Sequence, residues 1–235
     1  MRREGLRKDL GFDYAVQRSR RRTLAIHVRP DGSVEVRAPR RLPESVVAAF
    51  VTDRRDWVVR KRREVAALPP RFRPLFADGE LHPYQGEDYP LTVVPGSRGV
   101  SLASGRLRVG VAEPAAEAVA RALERWYRRQ AETVFSERLT AALERLADWQ
   151  LPEPRLMIRR MRRRWGSCSS SARVTLNLHL IKTPAAMLDY VIAHELCHLR
   201  ELNHSPRFYA LIDEAMPDWR ERQRTLRHYG SRFLG

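Results

Sequence analysis

His194 and His198 stand four residues apart, with Glu195 beside the first, in the apolar stretch YVIAHELCHL. On a helix that spacing sends both imidazoles from one face, one turn apart, where two neutral ring nitrogens can hold a zinc ion at about 2 Å. Glu195, about 100° around the helix, is off the ligand line yet near a water on that metal. The chemistry implied is hydrolysis. Zinc lowers the pKa of a bound water to about 7 and polarises the carbonyl to be attacked, and the carboxylate takes the water's proton.

Such a centre needs a third ligand, and His204 is the best candidate. On a straight helix it would lie about 9 Å beyond His198, so the chain has to bend first. Asn203 can adopt the left-handed conformation that ends a helix, and Ser205-Pro206 is a start signal for another, so the sequence predicts a turn that swings His204 back. The rivals are Glu201, one turn beyond His198, and Glu214 on the following helix; either would give a carboxylate third ligand. Glu201 has a second reading, as an acceptor that fixes a histidine tautomer. Cys197 reads as a small buried residue, and His27, His82, His179 and His228 as ordinary histidines.

The motif helix is expected from Pro184 to about Leu202, with Thr183 as its cap. Before it come a long helical pattern from Glu113 to about Trp149, a short strand near 155–158, a loop RRWGSCSSSA, and a strand VTLNLHLI with Val174, Leu176 and Leu178 on one face. A last helix is expected over about 217–228. The first third alternates as strands do, with a hairpin signal at Asp31-Gly32. There follows one helix, whose stripe of Val46, Val47, Phe50, Trp57, Val58 and Val65 is read as core and which ends before Pro69-Pro70. Alternation returns from Gly79 to Val111. The expectation is an α+β protein: a β-rich N-terminal lobe over 1–112, with one helix, and a mostly helical, zincin-like lobe over 113–235 with a small sheet.

With 43% apolar and 31% charged residues and no apolar run of bilayer length, the composition is that of a globular chain rather than a membrane protein. The start MRREGLRKDLGFDY lacks the apolar stretch of a secretory signal, and two cysteines are too few for a disulfide framework. Both point to the cytoplasm. The formal charge of +16 makes nucleic acid a candidate partner, through Arg clusters at 18–22, 54–63, 159–164 and 220–227, although solvated faces account for such runs as well.

The segment RRWGSCSSSARVTLNLHLIKTPAAMLDYVIAHELCHLRELNHSPRFYALI closely resembles the YgjP-like metallopeptidases, relatives of the SprT, Spartan and Wss-type proteases and of minimal gluzincin-like cores. The similarity is strongest from Arg162 to Trp219 and extends to GELHPYQGEDYPL. It implies an HExxH zinc site with a later histidine, which falls on His194, Glu195, His198 and His204. Glu201 stands where metzincins have a turn glycine, so the chain is not assigned to them. RWGSC is read as a cleft edge where Arg164, Trp165, Gly166 and Ser167 hold an extended peptide by strand addition, or as simple packing. Asn177 is either a further edge contact or a local backbone partner.

The function expected is therefore a zinc metallopeptidase acting on a peptide or protein. Two other classes compete with it. One is a nucleic-acid-associated protein with a closed, structural zinc site. The other is a nucleoside triphosphate pyrophosphatase, a label carried by some similar proteins; the Arg clusters suit it, but no Gly-rich phosphate loop is present.

Overall fold

The computed structural model describes residues 10–29 and 31–234; the first nine residues of the N-terminal stretch read for a targeting signal lie outside them. The chain divides into two compact units, 1–70 and 71–235. That boundary falls at the Pro69-Pro70 pair and not near 112. The reason is packing: Leu107, Val109 and Val111 share one apolar cluster with Val119 and Leu123 of the long helix, which binds the second β set to the helices after it.

In the first unit, β1 (Tyr14–Ser19), β2 (Ala25–Val28) and β3 (Val34–Pro39) form a sheet in the order β1-β3-β2, parallel between β1 and β3 and antiparallel between β2 and β3. The hairpin turns at Asp31-Gly32 as expected, with Gly32 at φ +78°. The single helix expected next is two, α1 (Glu44–Asp53) and α2 (Arg55–Ala66), broken at Arg54. That break rotates the apolar stripe. Val47, Val51 and Val58 are buried, whereas Val46 and Trp57 are exposed.

The second unit opens with β4 (Leu81–Tyr84), β5 (Glu87–Pro95), β6 (Gly99–Ala103) and β7 (Arg106–Val111), in the order β4-β5-β7-β6. The long α3 (Ala116–Arg145) contacts β6 and β7 with one buried face. A smaller sheet follows from β8 (Arg155–Arg159), β9 (Gly166–Cys168) and β10 (Arg173–Asn177), with β10 central and β9 on one edge. The strand expected to run on through Leu178 stops at Asn177, whose side chain accepts from the His179 amide and opens a 3₁₀ turn over Leu178–Lys182.

Then come α4 (Ala185–Cys197), α5 (Pro206–Ala215) and α6 (Trp219–Phe233). Helix α4 is buried nearly all round, touching α3, the small sheet, α5 and α6. Each fully buried side chain such as Ile192 or Leu196 contributes roughly 1.5–3 kcal/mol, so packing outweighs capping in fixing this helix. Thr183 does not cap it; its hydroxyl donates to the Leu180 carbonyl at 2.9 Å, and Pro184 takes the cap position. The β4–β5 turn abuts the same point, where a Cβ on Gly86 would lie 2.8 Å from the Pro184 ring. Among the described residues no helix is long and apolar enough to cross a membrane.

Candidate metal centre

Helix α4 ends at Cys197, about five residues earlier than its sequence suggests, and His198 is its C-cap. The amides of Leu199 and Arg200 close short turns onto Leu196 and Cys197, and His198 Nδ1 donates to the Glu201 carbonyl at 3.0 Å. A carbonyl can only accept, so that bond fixes the tautomer and leaves Nε2 with its lone pair free. The acceptor is the main chain of Glu201; its carboxylate takes the Asn203 amide instead. The bend thus begins at His198 rather than at Asn203, giving the chain a longer turn in which to bring His204 back. Ser205 caps α5 by accepting from the Phe208 amide, with Pro206 in the first turn, as expected.

These two helix ends bring three imidazoles together. The ligand-capable atoms of His194, His198 and His204 lie within 4.8 Å of one another, and the Nε2 atoms of His194 and His204 are 3.1 Å apart. Two nitrogens on a tetrahedral zinc at about 2.05 Å are roughly 3.3 Å apart, so the His194–His204 pair is already at that spacing. All three rings pack on Phe208, with centroids 4.6–4.9 Å away. Phe208 is 1% exposed and forms the apolar floor of the centre. Only its place just after the α5 cap hinted at this role in the sequence.

Glu195 is 4% exposed and its Oε2 is buried with no hydrogen-bond partner among the described residues. Burial pushes its carboxyl up to about 8, partly offset by the Arg164 guanidinium. Burial likewise lowers His194 to about 4, helped by the neighbouring His198 and His204, and it lowers His198. Neutral imidazoles are the form a metal requires.

Gly166, opposite Leu176 on the edge strand β9, makes room for that carboxylate: a Cβ there would lie 2.4 Å from Glu195 Oε1. Arg164 and Trp165 line a cavity of about 280 Å³ together with Glu195, Tyr190 and Arg227. A second cavity, of about 270 Å³, lies between His204, Tyr209 and Trp219. His194 and Gln223 border both, so α6 supplies part of the cleft, which nothing in its sequence announced. Ser167 is half-buried in the ladder opposite Thr175.

Three other candidates lie outside the chemistry. Asn177 is fully buried, and its amide donates to the Met161 and Arg164 carbonyls at 2.7 and 2.8 Å, so it is a backbone tie rather than a substrate contact. Glu214 accepts from Trp149 Nε1 at 2.9 Å. Cys197 is fully buried with its thiol pushed up by burial, which disfavours the thiolate a metal would need.

A model of the YgjP-like metallopeptidase domain matches residues 22–229. Among solved structures, the metallopeptidase zymogen abylysin of Pyrococcus abyssi is similar at 19% identity and a TM-score of 0.38, over 43% of this chain and 99% of that one. No curated protein matches the chain significantly.

Proposed function

This chain belongs to the YgjP-like metallopeptidase family, and from that premise we propose that it hydrolyses peptide bonds with one zinc ion, held by His194, His198 and His204, and with Glu195 as general base. The observation that carries the reading is the convergence of three imidazoles next to a buried carboxylate oxygen that has no hydrogen-bond partner among the described residues. When bound, zinc supplies a Lewis acid that acidifies a water and polarises a carbonyl. Glu195 takes the proton of the attacking water and delivers it to the leaving amine. Burial keeps its pKa near neutral, where one group can both accept and donate. Phe208 keeps the far side of the imidazoles dry, and the Glu201 carbonyl holds His198 in its ligand tautomer.

The substrate is a peptide laid along the free edge of β9. Ser167 and its neighbours offer main-chain groups, Gly166 keeps the backbone close to Glu195, and Arg164 and Trp165 flank the chain. Both cysteines are free thiols, the form a reducing compartment maintains, and we place the protein in the cytoplasm.

Glu195→Gln tests the mechanism. It keeps size but cannot take a proton, so about one zinc per chain should remain while hydrolysis of an unfolded protein substrate falls by about a hundredfold or more. Unchanged turnover would refute the assignment. In the same metal analysis His204→Ala should lose zinc; full retention would move the third ligand elsewhere.

A further inference from the structure

The second unit holds a basic cavity of about 760 Å³, lined by Arg71, Arg121, Arg160, Arg162 and Lys182, which shares no lining residue with the metal cleft. The smaller cavity of about 280 Å³ does border the metal centre, through His194 and Glu195. It is a slot between two helices: Tyr190, Val191, His194 and Glu195 share one side of α4, and Gln223, Leu226 and Arg227 share one side of α6. Residues 164–166 form a third wall. Whole small-molecule sites span roughly 300–1,000 Å³, so this slot suits a single side chain.

The slot has an apolar floor and a cationic end. Tyr190, Val191 and Leu226 are buried, and Trp165 stands with them in the wall. Of the two arginines, Arg164 is already engaged: its charge acts on Glu195, where it partly offsets the rise that burial imposes. Arg227 acts instead on Tyr190, whose pKa burial raises while Gln223 and Arg227 pull it down. Hydrogen bonds fix it there, since Arg227 Nη2 donates to Gln223 Oε1 at 3.3 Å and Gln223 Nε2 donates to the Tyr190 hydroxyl at 3.2 Å. Arg227 forms no ion pair among the described residues, and the one carboxylate lining the slot is that of Glu195. A guanidinium is a fork of donors shaped for a carboxylate, and most of this fork is left over.

We propose that this slot selects substrates by a carboxylate on the residue beside the scissile bond, with its aliphatic stem on Val191, Leu226 and Trp165 and its oxygens on the Arg227 fork. The inference rests on the peptidase reading and adds the substrate class, acidic peptides. A basic side chain in the slot would meet the charge of Arg227 with no acceptor to offer, and an apolar one would use the floor alone. The formal charge of +16 also draws acidic chains toward the protein. The same chemistry is presented by a glutamate side chain and by the free C-terminus of a peptide.

The test uses the zinc-loaded chain and N-terminally labelled, C-amidated decapeptides that differ only in one central residue, glutamate, glutamine or arginine. A further glutamine peptide carries a free C-terminus. Mass spectrometry locates the cleaved bond. Cleavage should fall beside the glutamate, with kcat/KM about fivefold above that of the glutamine peptide, a modest factor because Arg227 is exposed, and with the arginine peptide poorest. Arg227→Gln should bring the glutamate-to-glutamine ratio close to one, whereas Arg224→Gln, which removes the same charge from an exposed place on α6 outside the slot, should leave it. If the peptide with a free terminus loses its last residue faster than its amide does, the carboxylate recognised is the terminal one. Fluorescence anisotropy of the same peptides on Glu195→Gln reads the slot without turnover. Tighter binding of a carboxylate peptide there, with no hydrolysis by the wild type, would keep the slot and break the peptidase mechanism. Equal treatment of the glutamate, glutamine and free-terminus peptides in both measurements, or an unchanged ratio in Arg227→Gln, overturns the slot and leaves the hydrolytic mechanism to be judged by Glu195→Gln.

Discussion

The candidate metal centre and the basic cavity lie in the same unit and are built in opposite ways. The first draws its chemical groups from positions 194 to 204, one helix end and the turn after it. The second gathers residues from near 71–82, 120–127, 160–162, 179–182 and 233. Local helix geometry suffices to place His194 and His198 together, and a capped helix start nearly suffices for His204. No local rule brings Lys182 under Phe72 and Phe233; only the packed core does. Chemistry carried by a short stretch therefore leaves a motif, and chemistry assembled from distant stretches leaves only a composition, here an excess of arginine.

The two regions are joined at Asn177. It ties the carbonyl of Met161, which lines the cavity, to that of Arg164, which lines the cleft, and it holds the amide of His179 as well. The contrast can be broken or sharpened at three positions.

The largest effect is expected at Gly166. An alanine Cβ there meets the flexible end of Glu195, so the fold should survive by pushing the general base aside. Peptide hydrolysis should fall by at least about tenfold, approaching the loss in Glu195→Gln, with zinc content retained. Full activity in Gly166→Ala would show that the carboxylate has room to spare.

Asn177→Ala should act on both regions. It leaves two carbonyls and an amide without the fully buried side chain that joins them, and about 3 kcal/mol of stability should be lost. Denaturant unfolding would measure that loss, and peptide hydrolysis should weaken with it. A variant as stable as the wild type, or one that loses stability with hydrolysis unchanged, would mean that Asn177 does not hold the cleft.

The smallest effect belongs to His179. Its folded pKa of about 3 lies below the ordinary value near 6.5, so between these pH values the unfolded chain binds the extra proton. Its contribution to stability is complete above pH 6.5 and is lost as pH falls toward 3. Thermal unfolding of the wild type should therefore drop more between pH 7 and pH 5 than that of His179→Gln, by up to about 2 kcal/mol at pH 5. Parallel pH profiles would show that His179 is not held neutral by its burial.

Read alone, the sequence singled out His194, Glu195 and His198, with His204 as the favoured third candidate, the family resemblance now matched over residues 22–229, and most of the strands and helices. It could do so because each of these depends on neighbours within a few turns of chain. Where boundaries went astray, a distant contact was in control. The second β set belongs with α3 because their apolar faces share one cluster; the early end of α4 is the exception, a local turn in which the Glu201 main chain accepts from His198 Nδ1. Tertiary structure alone decided that Gly166 clears space for Glu195, that Phe208 floors the three imidazoles, and that Asn177 is a buried tie. It also decided that Lys182 is buried against the rings of Tyr127 and Phe72. Those contacts join residues far apart in the chain, and their geometry exists only once the core between them has closed.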